Sequence, residues 1–528
     1  MLELQKKQIH MSRSKNIVGA QITFDEDFNI PDTKPDVASI LLKQANAVME
    51  ELRQMPEKVY LKGRLDFEIL YSSETSGQMK NLAGTLEFEE NVAYPLLEAR
   101  DHVRCRTKVE DISIRVINSR KLHISAVLGL ELYASAGYLE EAARAVNGDD
   151  EIAVLGKDME IISCQLQKKD TFRIEDDVVL MQGKPQAQSI LWKSLNLHSM
   201  EYQMQEDKML VHAQMQLFVI YESGQEQIPM QWIEKDISFS GEMPLSGCEH
   251  NMLASVEPVL IHKDVVIKQD EDGENRIFHI EAVTELDVKL YKEEKVHLLC
   301  DAYSIKRELE TSYKLAHLES LQMKNTAKCR ITERIPLHST DTMLQICHSE
   351  GIVSIDRAEI IPEGIKVEGA VYVTVLYLAA NDERPMQAST GVIPISHVVE
   401  AGNTQPKSCF SICPMLEQIN TTIAPGGQGE VRAVISFDTL VLAEHEISVL
   451  DQVKFSGEDI DTSNIPGMIG YIVRPGDDLW SIAKKYRMSV NRIREVNQTE
   501  ETKKEHTKTQ EESLYAEAGT KLLLVRES

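Results

Sequence analysis

The 528-residue chain has no uninterrupted apolar stretch approaching the ~18 to 20 residues that cross a bilayer. Its first residues, Met1-Leu2-Glu3-Leu4-Gln5-Lys6-Lys7, form no apolar signal core. A cytosolic product is expected. Basic charge is also short: 57 Lys and Arg stand against 84 Asp and Glu, a net charge of −27, which argues against binding to phosphate backbones. Nucleic acid is not expected as a partner. Cysteine is sparse and scattered (Cys105, Cys164, Cys248, Cys300, Cys329, Cys347, Cys409, Cys413), without the dense spacing of a disulfide-stapled domain, so most are expected to be reduced core residues.

Catalytic signatures are missing as well. There is no Gly-x-x-x-x-Gly-Lys-Ser/Thr phosphate loop, and Gly426-Gly427-Gln428-Gly429 lacks the lysine and helix that would follow one, so it reads as a hairpin turn. No Gly-x-Ser-x-Gly elbow occurs, and His445-Glu446 stands without the second histidine of a zinc helix. Cys409 and Cys413, with Cys347-His348, are zinc-ligand types, but no second paired motif accompanies them and buried sheet cysteines are the better reading. Asp270-Glu271-Asp272-Gly273 reads as a solvated turn rather than a calcium loop. No enzyme activity, cofactor or metal is expected. A hydrolase hidden in a β-sandwich stays open at this point, its first sign being titratable groups clustered in one concavity.

What the chain does have is self-similarity, with a period of about 150 residues. Leu61–Tyr71, Val211–Tyr221 and Val367–Tyr377 each alternate apolar residues, as half-buried strands do, and each carries a small residue (Gly63, Ala213, Gly369) eight positions before the tyrosine. Between the first two copies the match is nearly gapless: Phe24 with Ile174, Lys34-Pro35 with Lys184-Pro185, Ser39-Ile40-Leu41 with Ser189-Ile190-Leu191. The third copy keeps the strands and loses the Lys-Pro element. Turns of different length at Asn118-Ser119-Arg120, Asp270–Asn275 and Pro425–Gly429 mark one recurrent surface hairpin.

One stretch reads ambiguously. Val37, Ile40, Leu41, Ala45, Val48, Met49 and Leu52 have helical spacing, yet the matching Gly351–Ile355 is short and β-branched, so a brief turn or helix followed by strand is expected. Tyr138–Val146 has the composition of a short helix between units, and Lys306–Tyr313 is a polar junction. The expected architecture is mainly β: three all-β, sandwich- or barrel-like repeats of ~7 to 9 strands each, followed by a small α+β (βααβ) module. The expected boundaries are 1–148, 149–312 and 313–455 for the repeats, 456–469 for an acidic linker and 470–528 for the module.

That module begins Gly470-Tyr471-Ile472-Val473-Arg474-Pro475-Gly476-Asp477-Asp478-Leu479-Trp480-Ser481-Ile482-Ala483: strand, Pro-Gly turn, amphipathic helix. Asp477 or Asp478 can cap the first helix and Ser489 the second, with Leu479, Ile482, Ala483, Tyr486 and later Val490, Ile493 and Val496 forming the core. Alternation places Leu522 and Leu524 inward, and turns Ile472 and Leu523 to the outer, solvent side of a two-stranded sheet. Trp480 lies one residue off the buried stripe and is either accessible or laid over the edge of the small core. Ile472, Trp480 and Leu523 are the candidate protein-binding residues.

The order of these elements resembles the LysM domain. That resemblance implies binding of the N-acetylglucosamine backbone of peptidoglycan or chitin through two loops, here Pro475, Gly476, Asp477 and Asp478 on one side and Asn497 on the other. About ten extra polar residues within Gln498–Ala518 enlarge the second loop, which disfavours a preformed sugar groove. The repeats resemble the SPOCS domain of clostridial sporulation proteins, through Ile30-Pro31-Asp32-Thr33-Lys34-Pro35-Asp36, Ile40-Leu41 and the Gly63–Tyr71 strand. Three such repeats and one LysM domain resemble a spore-coat morphogenetic family. The resemblance implies a mother-cell cytoplasmic adaptor recruited to the forespore surface, with the LysM domain engaging a SpoIVA-like morphogenetic ATPase. The competing reading is a glycan-binding protein of the wall or cortex.

Overall fold

The computed structural model describes residues 2–74, 77–147, 152–225, 228–337, 342–381, 385–402, 404–460, 466–497 and 517–526. The first repeat contains β1 (Glu3–Ser14), β2 (Val18–Asn29), β3 (Val37–Met55), β4 (Lys58–Ser73), β5 (Met79–Ala93), β6 (His102–Asn118) and β7 (Lys121–Asn147). The second contains β8 (Ile152–Val179), β9 (Ser189–Gln205), β10 (Lys208–Gln225), β11 (Ile228–Pro244), β12 (Leu253–Gln269) and β13 (Asn275–Ser304). The third contains β14 (Arg307–Pro336), β15 (Met343–Ile361), β16 (Gly364–Ala379), β17 (Met386–Glu400), β18 (Cys409–Ala424) and β19 (Gln428–Asp459). In each repeat a meander sheet, β3-β4-β5 or its equivalent, faces a second sheet of order β6-β7-β2, and the inward side chains of both form the sandwich core.

The first repeat thus holds seven strands, within the expected seven to nine, while the second and third hold six each, because their longest strands serve two structures. Beyond the sandwich, β1 runs against the end of β7, the start of β8 against the end of β13, and the start of β14 against the end of β19. The three two-stranded ribbons pack together through Ile9, Met11, Ala142, Ile161, Val296, Leu298, Ala316, Leu318 and Val449. The meander sheets meet in the same way through Leu70, Ile220 and Leu376, with Leu42, Trp192 and Cys347. The repeats are therefore arranged around a common axis, with approximate three-fold character.

Two local expectations change. Tyr138–Val146 is not a helix but the end of β7, since pairing with Leu4–Met11 satisfies its backbone in a ribbon. The polar stretch from Lys306 to Tyr313 is mostly strand: β14 starts at Arg307, after a bend at residues 305–306 that follows Ser304. The chain likewise continues as β19 to Asp459, with the Ile460 N–H donating to Lys306 O, before residues 461–465 of the expected linker, which lie outside the described residues. The ambiguous Val37–Leu52 stretch is strand, preceded by a turn. Its register slips after Val37, Ile40 and Met49, and each bulge adds one residue to the apolar alternation, producing spacings of three and four that imitate a helix.

The motif shared by the first two repeats has a structural role. The Tyr71 hydroxyl donates to Pro35 O at 3.1 Å and Tyr221 to Pro185 O at 3.2 Å. Arg120 donates to the carbonyls of Ile30 and Lys34, and Arg276 to those of Leu180, Met181 and Lys184. The third repeat lacks the Lys-Pro loop, and Tyr377 turns to Gln387 Oε1 at 3.3 Å instead.

Burial pushes the Glu319 carboxyl up to about 7, repulsion from Glu444 adds to this, and Arg13 and Lys289 oppose it in part. Glu319 and Glu444 sit directly opposite each other in the β14–β19 ribbon. A raised carboxyl is protonated more readily in the folded state, so its contribution to stability is complete below the ordinary carboxylate range and is lost as pH rises through about 7. Glu319→Gln is expected to stabilise the chain at pH 8 by about 2–3 kcal/mol, and by little at pH 4.5. Urea denaturation at the two pH values checks this; an equal change at both would contradict it.

Candidate functional site

The C-terminal module consists of β20 (Met468–Ile472), α1 (Leu479–Tyr486), α2 (Val490–Val496) and β21 (Lys521–Val525). Asp478 caps α1, accepting from the Ser481 N–H at 2.6 Å, while Ser481 Oγ accepts from the Asp478 N–H at 3.2 Å. Ser489 caps α2 by accepting from the Arg492 N–H at 3.2 Å. Val473, Leu479, Ile482, Ala483, Met488, Ile493 and Leu524 are buried between the helices and the two-stranded sheet.

The outer face of that sheet follows from its register. Gly470 pairs with Leu523, Ile472 with Lys521 and Met468 with Val525, so these six positions face away from the helices. Met468 is 63 % exposed, Ile472 60 % and Leu523 40 %, an apolar strip on a module of few residues. Met468 was missed in the sequence, although the alternation Met468-Gly470-Ile472 carries it.

Trp480 has a different surrounding. It is 7 % exposed, its indole N–H donates to Asp301 Oδ2 at 2.9 Å, and its ring meets Tyr303 edge-on at 4.8 Å. Both partners lie on β13 of the second repeat, so the structure does not bring Trp480 to the Ile472–Leu523 face. It belongs to a joint between module and body. Lys484 Nζ also contacts Asp301, at 2.7 Å, Arg487 pairs with Glu308 at 2.7 Å, and the Tyr303 hydroxyl donates to Met488 O at 2.8 Å. Arg487 closes α1 in the left-handed region, at φ 55°, and aims its guanidinium at the body. Burial opposes ionisation of Asp301, but hydrogen bonds from Lys484, Tyr313 and Trp480 outweigh it and hold the carboxyl below its ordinary value.

The residues of the two sugar loops are largely committed within the module. Asp477 accepts from the Tyr471 hydroxyl at 2.5 Å and from the Arg474 N–H at 2.9 Å, which hold its carboxyl low. Asp478 is the helix cap. Asn497 donates to Ile493 O and Leu523 O, both at 2.7 Å, and accepts from the Leu523 N–H at 2.6 Å, so it ties α2 to β21. Pro475 and Gly476 form the turn, Gly476 at φ +90°. Residues 498–516 of the enlarged loop lie outside the described residues.

Elsewhere, Cys409 and Cys413 lie on β18 while Cys347 belongs to the axial cluster. Among the described residues no group of three or more His, Cys, Asp or Glu is arranged to hold a metal ion, and no helix is long and apolar enough to cross a membrane.

Comparison with protein families matches the SipL, SPOCS domain three times, at residues 36–117, 186–268 and 342–424, and the LysM domain at residues 471–502. The chain is a SipL-like protein. Its SPOCS matches begin at the loop-and-meander part of each repeat and end within β6, β12 and β18, leaving the long ribbon strands outside the matched segments. No curated protein and no solved structure matches the chain. SPOCS repeats joined to a LysM domain make this a sporulation-associated LysM protein, built from binding domains rather than catalytic ones.

Proposed function

We propose that this SipL-like chain is a non-enzymatic adaptor of spore-coat assembly, whose LysM domain binds a SpoIVA-like morphogenetic ATPase at the forespore surface. The observation that carries the reading is the outward strip Met468–Ile472–Leu523 on a domain whose loop polar groups, Asp477, Asp478 and Asn497, are engaged internally. A sugar needs free, convergent polar groups in a cleft; a folded protein needs exposed apolar area that it can cover. The SPOCS body holds the LysM domain by the Trp480–Asp301 joint and presents that strip to one side. Residence in the mother-cell cytoplasm belongs to the same reading.

The test is co-purification with a SpoIVA-like ATPase of the full chain and of a chain ending at Ile460, which keeps β19 whole. Capture by the full chain alone supports the proposal. Equal capture by both places the partner on the SPOCS body. Sedimentation of the full chain with purified peptidoglycan, without capture of the ATPase, favours the glycan reading.

A further inference from the structure

The two-stranded sheet of the LysM domain has two edges, and they are finished differently. On β21 the Leu523 N–H donates to Asn497 Oδ1 at 2.6 Å and the Leu523 carbonyl accepts from Asn497 Nδ2 at 2.7 Å, so one side-chain amide stands where the backbone of a third strand would. That edge is closed at its centre.

The same two bonds fix the direction of every peptide group in β20. Because both backbone groups of Leu523 point away from β20, its pairing with Gly470 is of the non-hydrogen-bonded kind, and Gly470 likewise turns its N–H and carbonyl away from β21. Alternation extends this to Met468 and Ile472. The flanking residues agree in phase: the Val473 N–H donates to Thr520 O at 2.9 Å and the Arg526 N–H to Gly467 O at 3.1 Å, both across the sheet. Among the described residues no hydrogen bond reaches the outward N–H and carbonyl groups of Met468, Gly470 and Ile472. Nor is this edge guarded, since Met468-Ile469-Gly470-Tyr471-Ile472 contains no charge, no proline and no bulge.

What can occupy the edge follows from the side chains beside it. Met468 and Ile472, two of the three residues of the outward strip, belong to this same edge strand, so a protein that covers them also strips water from the adjacent peptide groups. Peptide groups that lose water need new partners. A helix laid on the strip has none to give, because its own backbone groups are bonded internally, whereas an extended segment offers an N–H and a carbonyl at every second residue along the edge. We propose that the partner of the LysM domain adds a strand to the outer edge of β20: an extended segment whose backbone pairs with Met468, Gly470 and Ile472, and whose alternate apolar side chains continue the strip. This mode of docking rests on the reading that the outward LysM face meets a protein, and adds to it the edge used and the conformation of what binds there.

Gly470→Pro separates the two. It removes an outward N–H and sets a ring on the edge while Met468, Ile472 and Leu523 stay in place, and the domain itself loses no hydrogen bond. The site accepts a side chain: Gly470 lies outside the left-handed region, and a Cβ there would meet no atom within 4 Å. Gly470→Ala, which keeps the N–H, is the control. The expected result is binding of the SpoIVA-like ATPase to the full chain weakened about tenfold or more by Gly470→Pro and less than about threefold by Gly470→Ala. Residue-resolved amide exchange reads the same contact without a substitution: the Gly470 and Ile472 amides, unprotected in the free chain, should slow at least about tenfold in the complex. Undiminished binding by Gly470→Pro, equal loss in both variants, or unchanged exchange at Gly470 and Ile472 overturns strand addition while the LysM face keeps its own test in Ile472→Arg, Leu523→Glu. No binding by the parent removes both. Strand addition by a partner is also overturned if the parent dimerises in sedimentation equilibrium and Gly470→Pro stays monomeric, since a second copy would then be the occupant.

Discussion

Gly369→Val is expected to destabilise the third SPOCS domain by about 3 kcal/mol or more, seen as a lower urea midpoint. A Cβ at this position would stand 2.1 Å from Ser354 O and 2.9 Å from the Ile355 Cα, both backbone atoms with no rotamer in which to retreat. The crowding comes from a bulge: β15 slips register between Ile355 and Arg357 and presses toward β16. Gly63 stands in the same relation to the bulge after Met49, with Val48 O at 2.5 Å from the place of its missing Cβ. In the second domain the slip lies elsewhere, between Gln214 and Met215, and the related position carries Ala213 in regular register with Met200. Ala213→Gly should accordingly cost only about 1 kcal/mol. An unchanged midpoint for Gly369→Val would remove this explanation of the recurrent small residue.

Asp301→Ala is expected to release the LysM domain from the body. The substitution leaves the Trp480 indole without its acceptor and removes the partner of Lys484 and of the Tyr313 hydroxyl. Lys484 is 40 % exposed, so water screens its share, and most of the loss comes from the buried indole and the carboxylate network. A cost of about 2–4 kcal/mol to the joint follows. Amide exchange of α1 should accelerate at least about tenfold, with Asp301→Asn intermediate because it keeps an acceptor. Because the Asp301 carboxyl is held low, its contribution is present above the ordinary carboxylate range and fades as pH falls below it. Unaltered exchange of α1 would show that the joint depends on other contacts.

Much of this was legible in the sequence where the physics is local. Alternation marked the strands, the small residue and the tyrosine marked the repeat, and Asp477-Asp478 and Ser489 marked the two helix starts, with the structure choosing Asp478 for the first. The Val37–Leu52 stretch was readable only against its repeat, because three bulges turn a period of two into something close to 3.6. Tyr138–Val146 misled for another reason: Ala and Glu favour helix intrinsically, and only pairing with a strand more than a hundred residues away decides otherwise. The arrangement around a common axis left no readable signal, since the outward Leu70, Ile220 and Leu376 look like ordinary strand residues until three sheets meet. Trp480 was recognisable as lying off its helix's buried stripe, but its partner Asp301 is 179 positions away.

The proposed function has another protein covering the outer sheet face of the LysM domain. It is tested most directly by the affinity of a SpoIVA-like ATPase for the full chain and for the double variant Ile472→Arg, Leu523→Glu. Both side chains point to solvent and touch none of the core between the helices and the sheet, so the circular dichroism spectrum should be unchanged. Binding should weaken by about a hundredfold or more, as expected when charges enter the centre of an apolar contact. Undiminished affinity in a correctly folded double variant would contradict it.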